Sequence, residues 1–284
     1  MIGELGFEQA HKGIDEELGF DHSLKGIDVA DLLQKGKHEM FEVDVVYDII
    51  ALPNYHFLMV HFSDGYLGYY NEHLKCVKRI DKINGENFTP IGIALHLKEK
   101  KLFLSDYLNR RIIMTDLQIN FLKSIGSFGA EINQFDGPND LCLLNNNLYV
   151  CDYNNKRIQV YNTELIYSQS LMVNYHPQEI KTLNSKLFIQ SAESGLFIYN
   201  SNDFSLLKKF EHGLCRISKL DSDIYEFNHE TKKLFCYDEH ANLKEEINLT
   251  SVNENLIGVW DGTFIVFNRA FLLIPCSNGI RENI

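Results

Sequence analysis

The sequence lacks any long uninterrupted hydrophobic run. No stretch approaches about 20 apolar residues, so we expect no membrane-spanning helix. The longest candidate, Phe264 to Cys276, is broken by Asn268-Arg269. The first residues, MIGELGFEQAHKG, contain no basic segment followed by an apolar one. We therefore expect no secretory signal.

Closely spaced cysteines are also missing. The six cysteines are far apart and include no C-x-x-C pair. Most of them lie within apolar runs, where a reduced cysteine behaves as a small hydrophobic residue. This pattern predicts a reducing compartment, and hence a cytoplasmic protein.

Positive charge and catalytic motifs are scarce too. The net charge is −12 and the basic clusters are short, which argues against nucleic-acid and anionic membrane partners, because both require a basic surface. There is no G-x-S-x-G motif for a serine nucleophile. His56 and His61 are five residues apart on one predicted strand, so they point to opposite faces rather than to one metal.

What the sequence does contain is a pattern that occurs twice. LFLSDYLNRRIIMTD begins at Leu102, and LYVCDYNNKRIQVYN begins at Leu148, 46 residues further on. Both have an apolar strand followed by Asp-Tyr, Asn and Arg-Ile in the same positions. Such spacing is typical of a repeat array.

Between these two units lies the connector GSFGAEINQFDGP, residues 126–138. Together the paired D-Y-x-N-x-R-I units and the connector resemble NHL repeats, which form the blades of β-propellers. The resemblance implies a binding platform, such as the substrate-recognition part of tripartite-motif ubiquitin ligases. Some NHL propellers bind RNA.

The remaining chain reads as short apolar strands separated by Asn, Asp and Gly turns. We predict an all-β, six-bladed propeller over residues 38–284, preceded by an N-terminal arm, residues 1–37. The predicted inner strands begin at Ile49, Ile93, Leu141, Ile180, Ile217 and Leu256. The last blade has sequence for only three strands, so we predict that Glu39–Val45 pairs with it and closes the ring.

The arm itself contains a tandem duplication. ELGF begins at Glu4 and Glu17, and KGID begins at Lys12 and Lys25, so both recur after 13 residues. The unit has too few apolar residues to form a core alone. It is either a flexible or loosely docked arm, or a pair of short partner-binding motifs that gain from effective concentration.

Two groups of residues are site candidates. In each repeat unit the aspartate ends a strand and the arginine opens the next, so we predict structural, bidentate pairs of Asp106 with Arg111 and of Asp152 with Arg157. The second group precedes the inner strands, near one mouth of the central channel. It consists of Asp48, Asn139, Asp140, Glu179, Arg216 and Asn255.

This second group has three interpretations. It is an ordinary solvated rim, a partner-binding hot spot or, through Asn139 and Asp140, a calcium site. The calcium alternative comes from a similarity of Pro138-Asn139-Asp140 to calcium-dependent gluconolactonase-like propellers, and oxygen ligands suit Ca²⁺. Tyr66, Tyr69 and Tyr70 either fill the core or form an exposed recognition patch.

We therefore predict a non-enzymatic module without a cofactor that binds a protein or peptide partner on one face of the propeller. A calcium-dependent lactonase-type hydrolase is the alternative, and an RNA-binding propeller is a second alternative that the charge disfavours. The sequence does not define the oligomeric state.

Overall fold

The structure is a computed structural model built of β-strands. It describes residues 39–42, 46–52, 56–71, 75–211, 215–220, 223–228, 231, 233–238, 240–248, 256–260, 263–266 and 272–275. The arm and the tandem duplication lie outside these residues. Among the described residues, none forms a helix that is long and apolar enough to cross a membrane.

Five antiparallel sheets each contain four consecutive strands, and we number them as blades 1 to 5. Blade 1 contains β2 (Asp48–Leu52), β3 (His56–His61), β4 (Tyr66–Tyr70) and β5 (Cys76–Ile80). A small hairpin, β6 (Lys82–Ile83) and β7 (Glu86–Asn87), leads to blade 2. Blade 2 contains β8 (Pro90–His96), β9 (Lys101–Asp106), β10 (Arg111–Asp116) and β11 (Phe121–Ile125).

The next three blades repeat the same order. Blade 3 contains β12 (Pro138–Leu144), β13 (Asn147–Asp152), β14 (Arg157–Asn162) and β15 (Tyr167–Met172). Blade 4 contains β16 (Glu179–Leu183), β17 (Lys186–Ser191), β18 (Gly195–Asn200) and β19 (Leu206–Phe210). Blade 5 contains β20 (Cys215–Leu220), β21 (Asp223–Asn228), β22 (Lys233–Tyr237) and β23 (Leu243–Asn248).

One further four-stranded sheet is built differently, and we call it the closing sheet. Its order is β1 (Glu39–Glu42), β24 (Leu256–Trp260), β25 (Thr263–Val266) and β26 (Leu272–Pro275). β1 pairs with β24, with Met40 opposite Gly258. The predicted pairing of the N-terminal strand with the end of the chain is therefore confirmed.

The strand order within the closing sheet differs from the prediction. The predicted six equivalent blades are corrected to five blades of regular strand order plus the closing sheet. The strand at Leu256 was predicted to be an inner strand, but β24 lies next to the outer strand β1. In the closing sheet it is β26 that lies beside β20 and β2, the inner strands of blades 5 and 1. The physical reason is that β1 occupies the free edge of β24, so the opposite edge of the sheet faces the channel.

The core consists of separate hydrophobic layers between neighbouring blades. Successive residues of a second strand point to opposite sides, so Leu104 packs towards blade 1 and Phe103 towards blade 3. In blade 3, Val150 likewise packs towards blade 2 and Cys151 towards blade 4. Both faces of a blade are therefore buried, which explains why the second strands are continuous apolar runs rather than alternating ones.

Tight turns set the positions of the blade ends. Asn145 and Asn146, between β12 and β13, have φ values of 51° and 61°. Two residues with positive φ form the type I′ turn whose twist suits a hairpin, and asparagine tolerates this conformation. We call the opposite end of the blades, where second strands end and inner strands begin, the upper face. The loops of the upper face carry the candidate site.

Candidate binding face at the channel mouth

In blades 2 and 3, an aspartate at the end of the second strand organises the corner of the upper face. Asp106 Oδ2 accepts a hydrogen bond from Arg111 Nε at 2.8 Å, and Asp152 Oδ2 accepts one from Arg157 Nε at 2.8 Å. Both carboxylates are fully buried. Each predicted Asp–Arg pair is thus an ion pair in the structure.

The predicted bidentate geometry is wrong, because the second oxygen has another donor. Asp106 Oδ1 accepts the backbone N–H of Thr89, and Asp152 Oδ1 accepts that of Asp136, each at 2.8 Å. Each aspartate therefore joins its own strand corner to the incoming connector from the preceding blade.

The rest of the Arg157 guanidinium holds that connector in place. Its Nη atoms donate to the carbonyl oxygens of Ala130, Glu131 and Gln134 at 2.7, 3.0 and 2.9 Å. Arg111 instead uses Nη1 to contact the exposed carboxylate of Glu86. The corner of blade 3 is thus the more firmly fixed of the two.

The carboxylates at the start of the inner strands connect neighbouring blades. In three cases the side chain accepts the backbone N–H of the next inner strand, and all three side chains belong to buried residues. The bonds run from Ile93 to Asp48, from Ile180 to Asp140 and from Ile217 to Glu179, at 2.9, 2.9 and 2.8 Å. These residues are therefore ties between blades and not a solvated rim.

Blade 2 has glycine in the corresponding position. A Cβ atom on Gly92 would lie 2.9 Å from the Cα atom of Asp140, so no side chain fits there without a backbone shift. The Gly92 N–H donates to Ser105 Oγ at 2.8 Å. At this position blades 2 and 3 are held together by direct packing of Gly92 against the backbone of blade 3, and not by a hydrogen bond to a carboxylate.

Lys181, in the inner strand of blade 4, extends into the channel and meets two of these carboxylates. Its Nζ atom lies 2.9 Å from Asp140 Oδ2 in blade 3 and 3.9 Å from Asp48 Oδ1 in blade 1. The side chain is only 18% exposed. A buried cation therefore neutralises part of the negative charge at the centre of the ring.

The pKa values reflect this arrangement. Burial raises the pKa of Asp48 to about 7, and the neighbouring Asp140 contributes to the rise, while Lys181 opposes it. Burial alone would lower the pKa of Lys181, but the carboxylates of Asp140, Asp48 and Glu179 outweigh it and raise the pKa above the usual lysine value. Lys181 is thus a permanent cation, and Asp48 is the group that titrates near neutrality.

The donors around Asp140 do not fit calcium. Its two oxygens already accept hydrogen bonds from the backbone N–H groups of Leu141 and Ile180, at 2.8 and 2.9 Å, and from the Lys181 ammonium at 2.9 Å. A calcium ion would need the same lone pairs of Asp140. It would also have to occupy the place of the Lys181 ammonium, which is itself positively charged. Among the described residues, no group of three or more His, Cys, Asp or Glu side chains has a geometry that could hold a metal ion.

The structure describes the other predicted residues to different extents. Asn139 is half-buried beside Asp140, whereas Asn255 lies outside the described residues. Arg216 is described in its backbone only, opposite Phe227 in blade 5. The structure thus brings Asp48 and Asp140 together through Lys181, with Glu179 tied to the next blade.

Aromatic side chains follow the second strands of three consecutive blades on the upper face. Phe62, Tyr107 and Tyr153 each come directly after the last residue of β3, β9 and β13, and all three are half-buried. The rings of Phe62 and Tyr107 meet edge to face with centroids 5.6 Å apart. We call these three residues the aromatic arc.

The connector positions this arc. Gly137 lies against Tyr107, and a Cβ atom there would come within 3.0 Å of the ring. The Gly137 carbonyl accepts the N–H of Tyr153 at 3.0 Å. His176, from the next connector, places its ring 4.8 Å from that of Tyr153 and lies 3.1 Å, through Nδ1, from the Tyr153 carbonyl oxygen.

The predicted alternative of an exposed tyrosine patch on β4 is wrong for two of its members. Tyr66 and Tyr70 are 3% and 5% exposed and contact the buried His61, whereas Tyr69 is half-buried. Leu67, on the other side of β4, is fully buried as well, so both sides of this strand are shielded from solvent. The core interpretation therefore holds for Tyr66 and Tyr70.

Sequence reasoning missed Lys181 and the aromatic arc. Lys181 is the charged residue in the middle of the apolar inner strand EIKTL, and that interruption was the available signal. Two members of the arc were visible in the sequence as the tyrosines of the two Asp-Tyr pairs. Phe62 follows a histidine instead of an aspartate, so the sequence did not show that it occupies the same position in its blade.

The fold defines the class of the protein. It is a β-propeller, in which four-stranded sheets surround a channel. Residues 135–161 match the family model for the NHL repeat. This match covers the end of the connector and the first three strands of blade 3.

Solved structures confirm the propeller architecture. The Kuenenia stuttgartiensis hydrazine synthase is 12% identical, with 80% of this chain and 78% of that chain covered and a TM-score of 0.58. A nidogen/laminin complex is 14% identical, with 73% and 80% covered and a TM-score of 0.56. The WD40 β-propeller domain of Doa1 is 13% identical, with 84% of each chain covered and a TM-score of 0.56.

At these identities the likeness is one of fold alone. A search of curated protein sequences found no significant match.

Proposed function

We propose that this propeller is a non-enzymatic module that binds a protein or peptide partner on its upper face. The observation that carries the proposal is the aromatic arc, which places half-buried rings in equivalent positions on three consecutive blades. Aromatic side chains that are anchored at one end and open at the other are the usual hot spots of protein recognition.

The chemistry of the channel mouth supports binding over catalysis. Asp48, Asp140 and Glu179 are occupied by backbone N–H groups and by Lys181. A general base or nucleophile needs access to substrate and a free lone pair. These carboxylates instead make the platform rigid, which lowers the conformational cost of binding.

The proposal includes a cytoplasmic location. The free thiols of Cys76, Cys151 and Cys236 support a reducing environment.

The direct test is selection from a displayed random peptide library on the purified protein. The counter-selection uses a variant that carries Phe62→Ala, Tyr107→Ala and Tyr153→Ala. We expect peptides that bind the wild type and lose at least about tenfold in affinity on the variant, because a hot-spot residue contributes about 2 kcal/mol.

The matched control is Ile166→Ala on the opposite face, where the side chain is 60% exposed. Peptides selected on the wild type should bind this control unchanged. Selected peptides that bind the triple variant as tightly as the wild type would contradict the proposed face.

A further inference from the structure

Each of the five regular blades has a β-bulge near the start of its outer strand, at the lower end of the blade. The register with the third strand shifts there, so the second residue of the outer strand has no residue opposite it. These residues are Val77, Leu122, Ser168, Leu207 and Lys244 in blades 1 to 5. Bulges and lysines are the usual protection of an edge strand against pairing with another chain.

In blades 1, 2 and 4 the bulge residue is apolar and largely exposed. Val77, Leu122 and Leu207 are 52%, 48% and 46% exposed. Protection of an edge strand calls for a polar residue at this place, so it does not explain an exposed aliphatic side chain in the same position on three blades. We therefore treat these positions as a contact surface and call them the edge sites.

A lysine follows the bulge residue in each edge site, and these are Lys78, Lys123 and Lys208. None of the three forms an ion pair with a carboxylate in the part of the chain that the structure describes. Lys123 and Lys208 donate to the carbonyl oxygens of Glu164 and Ala241 in the following blade, at 2.8 and 2.7 Å. Each edge site thus has an exposed aliphatic side chain beside an ammonium group without a counter-ion.

The other charges near the edge sites are already engaged. The remaining basic side chains of these three outer strands are in the ion pairs Arg79–Asp81 and Lys209–Glu211. The turns that lead into β11 and β19 contain Asp116 and Asp203. Their carboxylates accept the backbone N–H groups of Asn120 and Ser205, at 2.8 and 2.9 Å.

The N-terminal arm contains a segment of matching chemistry in two copies. The segments are ELGFE, residues 4–8, and ELGFD, residues 17–21, so a leucine and a phenylalanine lie between two carboxylates in both. The next three residues, QAH and HSL, differ at every position, whereas KGID follows unchanged in both copies. The duplication has therefore retained the apolar pair and the flanking negative charges.

The chain path brings the arm to the edge sites. β1 is the outer strand of the closing sheet, and the inner strand β2 follows it after five residues, as β20 follows β19 after four. β1 therefore runs from the lower to the upper end, as the other outer strands do. Its first residue, Glu39, lies at the lower end, where the edge sites are. The closing sheet is next to blade 1.

We propose that the arm, residues 1–37, docks on the edge sites of its own propeller, with ELGFD on blade 1 and ELGFE on blade 2. The leucine and phenylalanine of each copy pack against Val77 or Leu122, and the flanking carboxylates pair with Lys78 or Lys123. This surface is separate from the upper face and leaves the aromatic arc open to a partner.

The geometry favours blades 1 and 2 over the other direction around the ring. The copies are 13 residues apart, which spans up to about 43 Å in an extended chain. The bond from Lys123 to Glu164 shows that neighbouring blades approach within one lysine side chain at this end. Blade 5, on the other side of the closing sheet, has Glu245 and Glu246 after its bulge, and these would repel the arm.

The test uses Cys76, the exposed first residue of β5, as a reporter of the neighbouring edge site. The rate at which a maleimide labels Cys76 is measured by peptide mass spectrometry in the full-length wild type and in a variant carrying Phe7→Ala and Phe20→Ala. Phe121→Cys and Leu206→Cys place a thiol in the same register position on blades 2 and 4. The blade 4 reporter is the matched control.

We expect the arm variant to be labelled about three- to tenfold faster at Cys76 and at Phe121→Cys, because the tethered arm acts at a millimolar effective concentration. The rate at Leu206→Cys should not change. Glu17→Lys with Asp21→Lys should also expose Cys76. Adding Lys78→Glu should restore its protection, measured against Phe20→Ala in the same Lys78→Glu background.

Equal labelling of Cys76 in the wild type and the arm variant would overturn the inference. A blade 4 reporter that responds as strongly as those on blades 1 and 2 would overturn the assignment to these blades. Protection that increases with protein concentration would show that the arm binds a second copy of the chain, which contradicts docking on its own propeller. None of these results affects the proposed function, because peptide binding to the aromatic arc is measured on the other face.

Discussion

Lys181 in blade 4 lies 3.9 Å from Asp48 in blade 1. These blades are on opposite sides of the ring, because blades 2 and 3 separate them along the chain. The ammonium group also contacts Asp140 at 2.9 Å. One side chain therefore links three blades through the channel, at a place where their inner strands do not pair with one another.

Replacing this lysine should be strongly destabilising. In Lys181→Met, Asp48 and Asp140 would lose their buried cation, and breaking a buried ion pair in this way costs about 3–5 kcal/mol. Urea denaturation should show the loss. Adding Asp140→Asn should recover part of it, whereas Lys82→Met, on an exposed lysine, should change little. A fully stable Lys181→Met protein would contradict the linking role.

The pH dependence of stability should depend on Asp48. Its pKa is about 7 in the folded protein, against 3.8 for an ordinary aspartate. The folded state then binds more protons than the unfolded state between these values, so the free energy of unfolding should fall as the pH rises from about 4 to 7. Above that range this contribution is constant.

Asp48→Asn should remove this component, and its size in the wild type is of the order of a few kcal/mol. The measurement is urea denaturation of both proteins from pH 4.5 to 7.5. The decisive quantity is the change with pH of the difference between them, because the lost hydrogen bond adds a constant offset. A constant difference would show that Asp48 has an ordinary pKa.

The two corner arginines should differ in importance. Arg157→Lys keeps the charge but removes the fork that reaches Asp152 and three carbonyl groups. We expect a loss of about 2–3 kcal/mol and faster proteolysis within the connector, residues 126–137. Arg111→Lys is the matched control and should cost about 1 kcal/mol, since Glu86 is exposed. Equal losses would contradict the ranking.

Gly92 should tolerate no side chain. Its Cβ atom would meet backbone atoms of blade 3, at 2.9 Å from Asp140 Cα and 3.0 Å from Asn139 O. Gly92→Ala should therefore lower stability by about 1–3 kcal/mol through overpacking. Gly85→Ala provides the comparison, since its Cβ atom would enter open space and only the φ of 78° is unfavourable. A thermal melt of each variant measures both effects, and a Gly92→Ala melt equal to the wild type would exclude the contact.

Much of the fold could be predicted from the sequence, because each repeat unit encodes its own strands and its Asp–Arg corner. The spacing of Asp106 and Asp152 predicted the blades around them. The order of strands in the closing sheet could not be predicted in this way. An apolar run such as Leu256–Trp260 indicates a strand, but the choice of its neighbours depends on backbone pairing with a distant segment.

The candidate site was predicted in part. Asp48, Asp140 and Glu179 were recognised as one column, since they precede inner strands at equal positions. Their partners were not, because a lysine that reaches across the channel depends on the diameter of the ring. The burial of Tyr66 and Tyr70 was also beyond the sequence, since it depends on how the strand is packed in the folded ring.

The pairing of β1 with β24 has a consequence for synthesis. The first described strand, Glu39–Glu42, finds its partner at Leu256–Trp260, which the ribosome makes more than 200 residues later. Blades 1 to 5 are made before that partner, so the ring cannot be completed until the end of the chain emerges. Translation that stops before residue 256 would therefore release a ring with an unpaired strand edge, the kind of surface that promotes aggregation and recruits chaperones.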